Sequence, residues 1–202
     1  FNGRSSVMSS PTVVIGSNCF TGSHVVQALL DDPDQLVIGL SRSPEKGAFS
    51  LPYRARTPER FQFFQLDLVR QQEAVQALLD EQQPATVINV AALSEVALSN
   101  VSPVEYFELN TVATVRLCNF LRTRPYLKRY VHISSAEVYG SCRHPVAETE
   151  PVRPSTPYAV SKAAADLYIA TLVKNFGFPA ITIRSTNVYG KHQQLFKIIP
   201  RT

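Results

Sequence analysis

Short, almost unbroken apolar runs alternate with amphipathic stretches along this chain, and that alternation predicts its elements. Val13-Val14-Ile15, Leu36 to Leu40, Phe61 to Leu66, Thr86 to Val90, Tyr130 to Ile133 and Ala180 to Arg184 read as strands. Between them the apolar positions recur at helical spacing. Val25, Val26, Leu29 and Leu30 mark a helix over Ser23 to Leu30, and Val75, Leu78 and Leu79 another over Val69 to Glu81. A long helix from Val104 to Arg122 follows Pro103, which suits a first turn. The last runs from Tyr158 to Asn175, where Gly177 and Pro179 end it. Residues 41–60 read as a polar loop rich in Ser, Pro and Arg. Strands apolar on both faces, alternating with helices, predict an α/β fold: a doubly wound parallel sheet covered on both faces. Such sheets bind ligands beyond the carboxyl ends of their strands, so functional residues are expected just after each run.

Composition narrows this picture. The 202 residues are 45% apolar and 18% charged, as in an ordinary globular domain able to bury a core without metal or disulfide. The net charge of +4 comes with no basic run interleaved with aromatics, so no nucleic-acid partner is expected. Cys19, Cys118 and Cys142 are odd in number and lack ligand spacing, which implies a reducing, cytoplasmic setting and no metal. No long apolar run predicts a membrane span. Residues 1–7 read as a foreign leader ahead of Met8, and 8–202 as one domain. The four histidines, His24, His132, His144 and His192, share no spacing and read as packing or surface residues.

Candidate chemistry begins after the first strand. Gly16-Ser17-Asn18-Cys19-Phe20-Thr21-Gly22 opens a helix, the setting of a pyrophosphate-binding turn. Gly16 permits the tight turn and Gly22 close helix packing, while Cys19 stands where a middle glycine is expected. No acid ends the second strand. Ser41 and Arg42 there suit a 2′-phosphate, favouring NADP over NAD. Asp67-Leu68 after the third strand offers a carboxylate to an adenine amino group, and Ala91-Ala92 after the fourth are small enough for a cofactor to lie against. Tyr158 and Lys162 stand at i and i+4, so they share a helix face. The ammonium is expected to favour the phenolate and to lower the tyrosine from its usual value of about 10. A tyrosine tuned in this way exchanges protons with an alcohol. Ser135, after the fifth strand, can hold the same oxygen.

Together these runs resemble the extended short-chain dehydrogenase/reductases, in the NAD(P)-dependent nucleotide-sugar epimerase/dehydratase family. Pro157-Tyr158-Ala159-Val160-Ser161-Lys162-Ala163-Ala164-Ala165-Asp166 and Arg184-Ser185-Thr186-Asn187-Val188-Tyr189-Gly190 carry the likeness, which extends from Val13 to Pro200. The resemblance implies a Rossmann-like fold and a catalytic set of Ser135, Tyr158 and Lys162, with Lys162 also holding the nicotinamide ribose and Asn110 a helix asparagine at the cofactor site. It implies a nucleotide-sugar substrate touched by Ser94, Ser135, Asn187 and Lys197, and a homodimer built on the two long helices. It also implies a C-terminal substrate lobe, most of which would lie past Thr202.

Within the family, Glu137 stands where the sugar-nucleotide 4,6-dehydratases place the base that removes the C5 proton. Ala136 removes the usual acid beside it, which leaves a 4-epimerase or 4-ketoreductase as the alternative. A non-catalytic NAD(P)-binding sensor or scaffold is the reading from another class.

Overall fold

The order of the strands places the first one at the centre. In the computed structural model, which describes residues 10–55 and 58–194, one parallel sheet runs β3-β2-β1-β4-β5-β6. The strands are β1 Thr12–Ile15, β2 Val37–Ser41, β3 Phe61–Gln65, β4 Thr86–Asn89, β5 Arg129–Ser135 and β6 Ala180–Ser185. After β3 the chain crosses back to the other side of β1, so the switch point lies between the ends of β1 and β4. Residues 1–7 and Lys197 lie outside the described residues.

Alternation along each strand feeds both faces. Val13, Ile15, Val87 and Tyr130 point into the larger core, which they share with Leu78 and Leu79 of α2 (Gln72–Gln82) and Ile169 and Leu172 of α6 (Pro157–Phe176). Val14 and Val37 face the other way, toward Val26 and Leu30 of α1 (Phe20–Leu30). The doubly wound expectation is therefore met, with most of the helical cover on one face. Among the described residues no helix is long and apolar enough to cross a membrane.

Three local departures from the predicted pattern have identifiable causes. α1 starts at Phe20 rather than Ser23 because Cys19 caps it, its Sγ accepting from the Gly22 N–H at 3.2 Å. α2 starts later than expected because Asp67 Oδ1 accepts from Val69 N (2.7 Å) and Arg70 N (3.2 Å), a turn that competes with helix. The loop after β2 is not merely polar: it buries Leu51 and Tyr53 in the cluster that α1 shares, and it contains two short 3-10 turns, Pro52–Ala55 and Pro58–Arg60.

The long helix after β4 departs furthest. A short helix α3 (Val96–Ser99) precedes it, and the helix itself begins as α4 (Pro103–Tyr106), widens into a π-helical segment (Phe107–Ala113), and tightens again as α5 (Thr114–Leu121). Wide turns of this kind re-aim side chains and recur at functional sites. Here the widened segment presents Asn110 to the neighbouring helix.

Two glycines hold the switch point closed. Gly16 has φ +90°, and a Cβ there would stand 2.7 Å from Ala91 N. A Cβ on Gly22 would stand 2.1 Å from Gly16 O, a backbone atom that cannot swing aside. Gly22→Ala should therefore destabilise the fold by roughly 3 kcal/mol, the upper range for overpacking, seen as a lower urea midpoint with unchanged slope.

Candidate functional site

The helix α1 N-terminus lies at the carboxyl end of β1, over the switch point. Helix geometry leaves the N–H groups of Phe20 and Thr21 without intrahelical acceptors, and the Cys19 sulfur occupies that of Gly22. Burial pushes the Cys19 thiol up, so it stays protonated as a cap. Asn18, 4% exposed, turns away from this cradle. Its Nδ2 donates to Ser43 Oγ (3.0 Å), Ser43 O (3.2 Å) and Pro44 O (2.6 Å), while its Oδ1 accepts from Lys46 N (3.1 Å). The Asn18 N–H donates to Ser41 Oγ at 3.0 Å, and Lys46 Nζ donates to Asn18 O at 2.9 Å. The Asn18 side chain thus shapes the loop that follows β2 and has no donor left for a ligand. Arg42 on that loop is exposed, and its own carbonyl accepts from Gln65 Nε2 at 3.1 Å.

Across the switch point, Ala91 abuts Gly16, Ala92 is partly buried beside it, and Leu68 is buried at the end of β3. Asp67 is partly exposed and spends one oxygen on its own turn. Asn110 is 1% exposed and saturated: Oδ1 accepts from Leu93 N (2.9 Å), and Nδ2 donates to Leu93 O and Ser161 Oγ (both 3.0 Å). Ser161 Oγ in turn donates to Tyr158 O at 2.7 Å, and Thr111 Oγ1 to Ser161 O at 2.8 Å. Asn110 is therefore a brace joining the loop after β4 to the turn of α6 between Tyr158 and Lys162.

That turn carries the reactive pair. Thr156 caps α6, its Oγ1 accepting from the Ala159 N–H at 3.1 Å, and Pro157 occupies its first turn. This fixes Tyr158, 8% exposed, opposite Ser135 at the end of β5. Ser135 Oγ accepts from the Glu137 N–H at 3.2 Å, which leaves its proton for the tyrosine oxygen. The structure departs from expectation in the tyrosine's acidity. Burial raises the Tyr158 phenol, the Ser135 hydrogen bond draws it partly back, and the Glu137 carboxylate raises it again. Lys162 shares the helix face as expected but turns inward. It is 1% exposed, and its Nζ donates to Ile133 O at 2.7 Å and faces His132 Nε2 at 3.4 Å. Burial lowers this ammonium to about 8, against a smaller opposing pull from the Asp166 carboxylate.

Glu137 is exposed in the short turn after β5 (Ala136–Tyr139), and its charge reaches the Tyr158 oxygen. Ser135, Glu137 and Tyr158 therefore border one space at the carboxyl ends of β5 and β6. Ser94 and Asn187 are both exposed. Residues that the sequence did not single out lie beneath. Asp166 Oδ2 accepts from Arg184 Nε at 2.9 Å, and Arg184 Nη1 donates to the Tyr139 hydroxyl. His132, read as a packing residue, lies among them at 1% exposure. The signal available was the i, i+4 spacing of Lys162 and Asp166, which puts a carboxylate under the ammonium.

A family model described as the NAD dependent epimerase/dehydratase family matches residues 12–202. The chain is 30% identical over 191 residues to a dTDP-D-glucose 4,6-dehydratase from Mus musculus, covering 94% of this chain and 53% of that protein. It is similar to the crystal structure of a dTDP-glucose 4,6-dehydratase from Bacillus anthracis in complex with NAD. There the TM-score is 0.83 and the identity 26%, over 96% of this chain and 60% of that one. A UDP-glucuronic acid 4-epimerase from Bacillus cereus, in complex with UDP-glucuronic acid and NAD, gives a TM-score of 0.81 at 26% identity. The likeness covers 95% of this chain and 61% of that one. The chain thus spans about half the length of the mouse relative.

The buried Lys162 sets a pH-dependent stability. Its folded-state value of about 8 lies below the ordinary 10.5, so between those values the unfolded chain holds a proton that the folded chain lacks. Stability from this group therefore rises with pH across that window, and its full cost is present below it. Lys162→Met is expected to melt at a higher temperature than the parent at pH 7, and the gap to close as pH approaches 10.

Proposed function

Because the chain belongs to the NAD dependent epimerase/dehydratase family, we propose that the protein is a nucleotide-sugar 4,6-dehydratase acting through transient oxidation at sugar C4. The observation that carries this reading is Glu137. Its carboxylate is exposed and close enough to act electrostatically on the Tyr158 oxygen that Ser135 also bonds. A 4-epimerization has no use for a base at that point, whereas an elimination across C5 and C6 requires one.

The residues present suit a nicotinamide dinucleotide. Gly16 and Gly22 let the α1 N-terminus seat directly against the ends of β1 and β4, and helix geometry leaves the Phe20 N–H there without an intrahelical acceptor for a pyrophosphate to use. Bound there, the dinucleotide supplies a hydride acceptor at C4 that returns the hydride within the same cycle. The exposed Arg42 offers a cation to a 2′-phosphate, and Ser41 and Ser43, fixed by Asn18, frame it. NADP is accordingly the favoured form.

The chain's own residues divide the proton work. Tyr158 takes the proton of the 4-hydroxyl in its phenolate form, which the Ser135 hydrogen bond favours against burial, while Ser135 keeps that oxygen aimed. The 4-keto group so formed acidifies the C5 hydrogen, which Glu137 removes. Hydroxide leaves C6 and departs as water with one of the two protons taken up. The unsaturated ketone left behind gains the hydride at C6 and the other proton at C5, which gives the 4-keto-6-deoxy sugar. Ala136 offers no acid to the departing hydroxyl, which favours the 4-epimerase or 4-ketoreductase as the second reading.

A second copy of the chain is the proposed partner. Val104 and Val112 on the long helix, and Val160 and Leu167 on α6, are 68%, 40%, 38% and 55% exposed on neighbouring helices.

The protein should release 4-keto-6-deoxy product from one of dTDP-glucose, GDP-mannose, UDP-glucose or CDP-glucose; no product from any would sink the dehydratase reading. Tyr158→Phe should cost about 100-fold or more in turnover, as loss of a positioned acid–base group does. Glu137→Gln separates the two readings. It should abolish elimination while leaving hydride removal from C4 measurable, and unchanged turnover would favour the epimerase. Arg42→Asp should shift cofactor preference toward NAD by about tenfold in the ratio of dissociation constants.

A further inference from the structure

Behind Tyr158 lies one buried set of ionisable groups. His132 comes from β5, Lys162 and Asp166 from one face of α6, and Arg184 from β6. The first three are 1%, 1% and 4% exposed. Lys162 Nζ lies 3.4 Å from His132 Nε2, and the same Nε2 lies 3.9 Å from Asp166 Oδ1. Arg184 clamps the other oxygen of Asp166, and its Nη1 also donates to Glu148 O at 3.3 Å. His132 Nδ1 and Asp166 Oδ1 are buried without hydrogen-bond partners.

A buried ammonium is tolerated only where acceptors and counter-charge surround it. Ile133 O supplies one acceptor to Lys162, and Asp166 the charge. The imidazole facing the ammonium must present a lone pair, because an Nε2–H would point donor at donor. The ring therefore carries its proton on Nδ1 and stays neutral. Burial and the Lys162 charge both hold His132 well below the usual histidine range. Tyr130 stacks on the ring at 6.3 Å with an interplanar angle of 14°, and its hydroxyl is held by Asn89 Nδ2 at 3.1 Å, so the ring has little freedom to turn. On the reacting side the charged and titratable neighbours are Tyr158, Tyr106 and Glu137; on the inner side they are Asp166 and, through it, Arg184.

Building on the reading of Lys162 as the lysine that works beside Tyr158, we propose that His132 is a positioning residue for it. Its neutral imidazole accepts from the ammonium through Nε2 and, with the Asp166 carboxylate, keeps Lys162 protonated and fixed inside the site. Arg184 acts one step further out. It clamps the far oxygen of Asp166, which fixes the carboxylate that faces His132 and Lys162.

Two arms test this. In the first, the pH profile of turnover is compared between the parent, His132→Phe and His132→Gln. Removing the acceptor loosens the Lys162 proton. The alkaline limb should therefore move down by about one pH unit in the phenylalanine variant, the worth of one hydrogen bond to a charged group. Glutamine, whose Oε1 restores an acceptor, should return it toward the parent. An unmoved alkaline limb in an active His132→Phe enzyme overturns the proposal. The second arm needs no turnover: nitrogen-15 spectra of histidine-labelled protein, with His132 assigned by its loss in His132→Gln. A bare Nε2 and protonated Nδ1 persisting to pH 5, with an Nε2 shift that changes in Lys162→Met, upholds the contact. A ring that titrates near 6.5, or that carries its proton on Nε2, overturns it. If no nucleotide sugar is turned over, the dehydratase reading falls while the spectra still decide the His132 contact.

Discussion

Everything in this molecule that could touch a ligand depends on three backbones meeting at one point. The end of β1, the first turn of α1 and the end of β4 approach so closely at Gly16, Gly22 and Ala91 that no side chain fits between them. That contact seats the α1 N-terminus directly over the sheet and fixes the distance from it to the carboxyl ends of β5 and β6. A phosphate cradle and a proton-transfer pair can serve one extended ligand only if that distance is held. The apolar strands supply the driving force for the sheet, but the glycines decide where its crevice opens.

From this anchor the reactive pair is placed by a chain of small polar contacts rather than by packing alone. The π-helical segment turns Asn110 inward, Asn110 grips Leu93 and Ser161, and Ser161 ties back to the Tyr158 carbonyl. Both N–H donors of the Asn110 amide and its oxygen are engaged. A saturated buried amide rigidifies, because each bond it makes would leave an unsatisfied partner if broken. The site is thus braced from the β4 side by Asn110 and from the β5 and β6 side by the Asp166–Arg184 pair.

The fold was legible in the sequence because its strands are short, apolar and evenly interrupted, so that period and punctuation agree. The site was legible in part. Ser135, Tyr158 and Glu137 border one space as their positions after β5 and on α6 suggested. The acidity of Tyr158 was misread from local spacing. Helix geometry does place Lys162 one turn away, yet the depth of burial sends its ammonium to a carbonyl and an imidazole on β5. His132 was passed over because its meaning lies in a partner thirty residues away, which no local pattern records. Asn18 and Cys19 fall in the expected phosphate turn, and their side chains have structural work there, one shaping a loop and the other capping a helix. Competition between local side-chain bonds and a presumed ligand is invisible without coordinates.

The sheet is unevenly clothed, and this has a consequence for how the molecule behaves. Among the described residues β6 is the outer strand on its side of the sheet, with Ile181 and Ile183 at 51% and 45% exposure on the face away from α6. An outer strand offers free backbone donors and acceptors along one side, and here it adds an oily ridge along another. Such a margin is adhesive in two directions at once. Whatever polypeptide settles there gains ladder bonds and apolar contact together.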